Sequence, residues 1–146
     1  MIINYDIETG KIVTTSYGMD EPWTDEDTVA FNTQNEEAGI AAAKLDDADT
    51  TRAYYDVSSS SLKAISDFED LSASKDELIS NGTDYIEFTD IPEGTKIYVD
   101  NSLIGEMDSS GIYRFSCSDA GSYHLLMKKL GYNWFYKEVI ANDNFE

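Results

Sequence analysis

Basic side chains are scarce in this sequence: 10 Lys and Arg stand against 29 Asp and Glu, for a formal net charge of −19. A surface this negative repels phosphate backbones and anionic headgroups, so nucleic acid is not an expected partner. Cysteine is limited to Cys117, which leaves no internal disulfide framework and no Cys-based zinc site. With no His or Lys beside it to activate a thiolate, Cys117 reads as a small buried residue on a strand. His124 is the only histidine; it cannot build a His-based metal site and has no Ser or Cys pattern that would place it in a triad. No apolar run approaches the roughly 18 residues that a membrane-spanning helix needs, and residues 1–6 lack the basic region and apolar core of a signal peptide. Neither secretion nor membrane insertion is expected, and the chain reads as made in a cytoplasm.

Catalytic signatures are absent as well. The sequence has no Gly-x-Ser-x-Gly, no Gly-rich phosphate loop and no His-Glu-x-x-His. With 29 acids any carboxylate pair for glycoside hydrolysis is arbitrary. The acidic clusters Asp25-Glu26-Asp27 and Asp46-Asp47-Ala48-Asp49 lack the Asp-x-Asp-x-Asp-Gly spacing and distal Glu of a calcium loop and read as solvated turns. The expectation is a non-enzymatic protein without metal or cofactor.

What the sequence does hold is apolar material, 41% of the chain with 12% aromatic, enough for a packed core. Residues 2–6 and 11–17 flank Glu8-Thr9-Gly10, which predicts an N-terminal β-hairpin turning at a glycine. Residues 20–27, rich in acids with one proline, read as a surface loop, from which Trp23 either folds back over a core edge or stands out as an anchor. Residues 36–45 permit a helix or a strand, with hairpin-like neighbours favouring the strand. Residues 52–57 and 62–65 around a Ser loop predict a second hairpin. Residues 67–74 read as a linker, placing a boundary near Asp70; 16 Asp and Glu with 4 Lys and Arg precede it, so the N-terminal part is the more acidic.

Beyond the boundary the strands come at short, regular intervals. The organising stretch is Asp90-Ile91-Pro92-Glu93-Gly94-Thr95-Lys96-Ile97-Tyr98-Val99-Asp100, a Pro/Gly turn launching an alternating run. Further alternation follows around Tyr113, Phe115 and Cys117, then Tyr123, Leu125 and Met127, and finally residues 134–141. About seven short strands with turns every eight to twelve residues are the pattern of a small immunoglobulin-like β-sandwich. The expected fold is all-β: an N-terminal β-hairpin region over residues 1–70, then an immunoglobulin-like sandwich over residues 71–146.

Aromatic side chains are the candidate binding groups. Tyr132, Trp134 and Tyr136 cluster near the end of the chain, Tyr54 and Tyr55 are adjacent, and Trp23 lies in the acidic loop. Tyr and Trp bind with little loss of side-chain entropy and are enriched at hot spots, so these six are the candidate protein-interface residues. Acids around them would favour a partner with a basic patch.

The stretch from Ile91 to Tyr132 resembles a PEGA-type repeat, in Pro92-x-Gly94-Thr95-x-Ile97-x-Val99-Asp100, Ile104-Gly105, Gly121-x-Tyr123-x-Leu125 and Gly131-Tyr132. It departs from that pattern at Glu106-Met107, where the family has Thr-Pro. More of the chain is similar to a family of small bacteriophage virion proteins, through Tyr5-Asp6-x-x-Thr9-Gly10-Lys11-Ile12, Asp46-Asp47-Ala48-Asp49-Thr50-Thr51-x-x-Tyr54 and the module from Ile91-Pro92-x-Gly94-Thr95 to Ala120-Gly121-x-Tyr123. This resemblance implies a structural protein of the virion tail or a tail-fibre attachment site, with other tail or fibre components as partners and multiple copies in a symmetric assembly. A capsid decoration protein and a carbohydrate- or cell-surface-binding module are the alternatives.

Overall fold

The computed structural model describes residues 1–16, 23–46 and 48–143. The expectations for Tyr17, for residues 20–22 and for Asp47 lie outside the described residues. Strand dominates, with one short helix among the described residues, so the chain is all-β as its alternation predicts. It divides into two compact units: residues 1–66 with 130–133, and residues 67–129 with 134–146.

In the first unit, β1 (Ile2–Asp6) lies between β2 (Ile12–Ser16) and β3 (Ile40–Lys44), antiparallel to both. The β1–β2 turn is fixed by its own side chains. The Asp6 carboxylate accepts from the Glu8 backbone N–H at 3.1 Å and from the Thr9 hydroxyl at 2.9 Å, and Gly10, at φ +75°, turns the chain back. Asp6 and Thr9 are both buried, which their mutual hydrogen bond allows. Residues 36–45 resolve in favour of the strand. Ala41, Ala42 and Ala43 are small enough to bury on both faces, and Ala41 and Ala43 join Met1, Ile3, Tyr5 and Tyr55 in one core.

Between β2 and β3 stands α1 (Asp25–Asn35), which corrects the surface-loop reading of residues 25–27. Thr24 is its N-cap: the Thr24 hydroxyl accepts from the Asp27 N–H while the Asp27 carboxylate accepts from the Thr24 N–H. Three acids in the first turn suit the positive end of the helix dipole, so the composition that suggested a loop is a helix start. The helix buries no residue of its own and is tied to β3 by the Ala42 N–H bond to Asn32 Oδ1 at 2.7 Å.

The second hairpin, β4 (Ala53–Asp56) with β5 (Ser61–Ala64), forms as expected. Asp56 heads its turn, accepting from the Ser58 N–H at 3.1 Å, from the hydroxyls of Ser58 and Ser59 and from Lys63. Lys63 above all, with the two serines, holds the Asp56 carboxyl far below the usual carboxylate range. A depressed carboxyl contributes stability that is present above its unfolded pKa of about 3.9 and is lost as the pH falls below it. Thermal melts followed by circular dichroism should therefore show Asp56→Asn less stable than the parent at neutral pH, with the gap narrowing steadily from about pH 5 to about pH 2. A gap independent of pH would refute this role.

The first unit is completed by residues from far along the sequence. The Gly131 N–H donates to the Thr9 carbonyl at 2.9 Å, the Ser66 N–H to Gly131 and the Asn133 N–H to Ser66, and Ser66 and Tyr132 form a parallel bridge. These bonds carry residues 130–133 into the N-terminal unit, whereas a single boundary near Asp70 assigns them to the C-terminal one.

Among its described residues the second unit contains two sheets. β7 (Glu77–Ile79), β9 (Lys96–Val99), β10 (Ser102–Glu106), β12 (Gly121–Lys128) and β13 (Phe135–Asn142) form one, in the order β10-β9-β12-β13-β7, with β13 and β7 parallel. β6 (Ser72–Ala73), β8 (Ile86–Thr89) and β11 (Tyr113–Phe115) form the other, in the order β11-β8-β6. Side chains of both meet in one core, with Phe88, Ile86, Leu125, Met127 and Val139 fully buried. This is a sandwich-like arrangement, and the alternating stripes Ile97/Val99 and Tyr123/Leu125/Met127 are its inward faces.

The linker expectation for residues 67–74 is corrected. Leu71 is buried in this core, Phe68 meets the Phe135 ring edge-on at 6.3 Å, and Ser72–Ala73 pairs with β8. Cys117 lies just beyond β11, half-buried against the same core. The β9–β10 hairpin turns on Asp100 and Asn101, both at positive φ (48° and 68°), as a two-residue hairpin of primed type requires.

Candidate protein–protein interface

Along β12 and β13 of the five-stranded sheet, inward residues alternate with outward ones. On β12, Tyr123, Leu125 and Met127 point to the core, so Ser122, His124, Leu126 and Lys128 face outward. Strand register then assembles the outer face. Leu126 is opposite Tyr98 on one side and Tyr136 on the other, and Tyr98 is opposite Leu103. A continuous row, Leu103–Tyr98–Leu126–Tyr136, thus crosses four strands. Tyr136 is 58% and Leu103 55% exposed, a large apolar outlay for a solvated surface.

The row is held in shape by its neighbours. His124 stacks on Tyr136 with ring centroids 5.8 Å apart, and its Nδ1 shares a hydrogen bond with the Tyr136 hydroxyl. The Lys128 ammonium sits 4.6 Å from the Trp134 ring centroid and 5.5 Å from that of Tyr98, so one cation spans two aromatic faces. Asp100 Oδ1 accepts from the His124 N–H at 2.9 Å, tying the hairpin turn to β12.

Charge is graded along the strands of this face. Two residues to one side of the row, Lys96 lies between Lys128 and Glu106 of β10, two cations against one anion; two residues to the other, His124 is opposite Glu138 and bonded to Asp100. The face therefore runs from basic, through apolar, to acidic within about 13 Å at the strand rise of ~3.3 Å per residue.

Of the six sequence candidates, Trp134 and Tyr136 belong to this surface. Tyr55 is withdrawn as an anchor. It is buried in the first unit, its ring 4.7 Å from that of Tyr5, and has no face for a partner. Tyr54 and Tyr132 are half-buried in the first unit, where the ring of Tyr54 closes over Gly131. Trp23 folds onto α1, its indole N–H donating to Thr28 Oγ1 at 2.8 Å and its ring 6.5 Å from Phe31. Tyr98, Leu103, Leu126 and Lys128 were missed. Tyr98, Leu126 and Lys128 alternate with inward residues, but only the register of four strands sets them, with Leu103, side by side.

Among the described residues, no group of three or more His, Cys, Asp and Glu side chains is placed to hold a metal ion. Among them, too, no helix is long and apolar enough to cross a membrane. No protein family model, curated protein or solved structure matches this chain.

Proposed function

We propose that this chain is a non-enzymatic structural component of a bacteriophage virion, in the tail or at a tail-fibre attachment site, acting through protein–protein contacts. The observation that carries the contact role is the row Leu103–Tyr98–Leu126–Tyr136, exposed at its two ends and half-buried at its centre, aromatic and aliphatic side chains braced on a sheet. Rigid aromatic groups lose little entropy on binding. An immunoglobulin-like identity for the second unit is supported by its strand order. β10-β9-β12-β13 beside β11-β8 follows the C′-C-F-G and E-B orders of variable-type sandwiches. The virion setting is supported by the sequence resemblance at Tyr5–Ile12, Asp46–Tyr54 and Ile91–Tyr123.

The test is mass spectrometry of purified phage particles whose genome encodes this chain, with antibody labelling to locate it. The expected result is multiple copies on the tail or at the fibre junction. Its absence from particles would overturn the reading, and its presence in tailless heads would replace it with capsid decoration. A glycan array probed with the folded chain is expected to stay blank, because Lys128 already covers a face of Trp134.

A further inference from the structure

We infer that the outer face of the five-stranded sheet docks onto the same face of a second copy of this chain, related by a two-fold axis that runs along the row Leu103–Tyr98–Leu126–Tyr136. The inference rests on the reading of this face as a contact surface and names the occupant.

The argument is charge complementarity. A partner of one sign cannot match a face that is basic at Lys128, with Lys96 offset by Glu106 across the strand pair, and acidic at Asp100 and Glu138. A copy of the same face can, provided it is reversed along the strands. A two-fold axis lying in the contact plane along the apolar row performs that reversal while leaving the row in place. Tyr98 and Leu126 of one copy then meet their own counterparts. Lys96 lies opposite Asp100 of the other copy, and Lys128 opposite the His124–Glu138 pair. Each contact occurs twice, as a self-complementary interface requires.

Size sets the expected strength. Five strands at ~4.8 Å spacing and about six residues of strand length cover roughly 24 Å by 20 Å. Two copies would remove on the order of 1,000 Å² from water, the lower bound for a specific interface. Long-range repulsion between chains of net charge −19 is screened within about 8 Å at physiological salt. A reversible dimer of micromolar to sub-millimolar affinity follows, strengthened wherever an assembly holds copies close together.

Sedimentation velocity on the full chain in physiological salt tests this, using Lys128→Glu and Glu138→Lys. Each single variant places like charges opposite one another twice and should dimerise at least about tenfold more weakly than the parent. An equimolar mixture of the two should recover association, because the mixed pair restores both oppositely charged contacts. Unchanged thermal melts exclude misfolding as the cause of any loss. A parent chain monomeric up to millimolar concentration, single variants that dimerise like the parent, or a mixture no better than its components would each overturn the inference. A monomeric chain found in virions would sink the dimer alone; a dimeric chain absent from them would sink the virion reading alone.

Discussion

Phe88→Ala is expected to cost about 3–5 kcal/mol, enough to leave the second unit marginal. Phe88 is fully buried at the centre of β8, stacked 6.2 Å from Tyr113 and surrounded by side chains from both sheets. Removing its ring opens a cavity that both layers line, and a sandwich pinned by hydrogen-bonded strands collapses poorly around such a void. Urea denaturation followed by Trp134 fluorescence would measure the loss. Leu103→Ala, at a residue 55% exposed on the edge strand, should stay within about 0.5 kcal/mol of the parent. Equal losses for the two would mean that the core is elsewhere.

Gly10→Ala should be comparably severe in the first unit, through a different cause. Gly10 has φ +75°, and a Cβ placed on it would lie 2.3 Å from the Tyr55 carbonyl oxygen and 2.8 Å from the Tyr54 ring. The left-handed conformation alone costs a side chain about 1–2 kcal/mol. The rest comes from prising β4 away from the turn, against the Tyr55 N–H bond to the Gly10 carbonyl at 2.8 Å. A total above about 3 kcal/mol is expected, read from denaturant melts through Trp23. Gly39→Ala separates the two contributions: φ is +72° but the space around it is open, so only the conformational cost of about 1–2 kcal/mol remains. Similar values at both glycines would disprove the steric account.

These two sites differ in how far they could be read in advance. Gly10 and the hairpin around it were legible because the turn chemistry is local: Asp6, Thr9 and Gly10 all act within five residues. Phe88 alternates with Ile86 in the run Tyr85-Ile86-Glu87-Phe88-Thr89, so its inward place follows from local spacing alone. The helix is hidden by the acidic, loop-like composition of residues 25–27, although Thr24-x-x-Asp27 is a capping arrangement spaced for a helix start. The role of residues 67–74 was hidden because Leu71 and Phe68 are isolated apolar residues among polar ones, and nothing local reveals that their partners, such as Phe135, come from the last strand. The candidate interface was half legible for the same reason. Trp134 and Tyr136 are neighbours in sequence, whereas Tyr98, Leu103 and Leu126 become their neighbours only through pairing between strands far apart in the chain.

The hydrogen bonds that residues 131 and 133 make to Thr9 and Ser66 bear on the order in which the polypeptide can mature during synthesis. The N-terminal unit cannot be finished when its first 66 residues leave the ribosome. It waits for residue 133, by which time nearly all of the second unit has been made. A ribosome-stalled or truncated product ending near residue 70 is therefore an incomplete body whose Thr9 carbonyl and Ser66 backbone groups lack their native partners. Only a chain that extends past residue 133 can close the first unit.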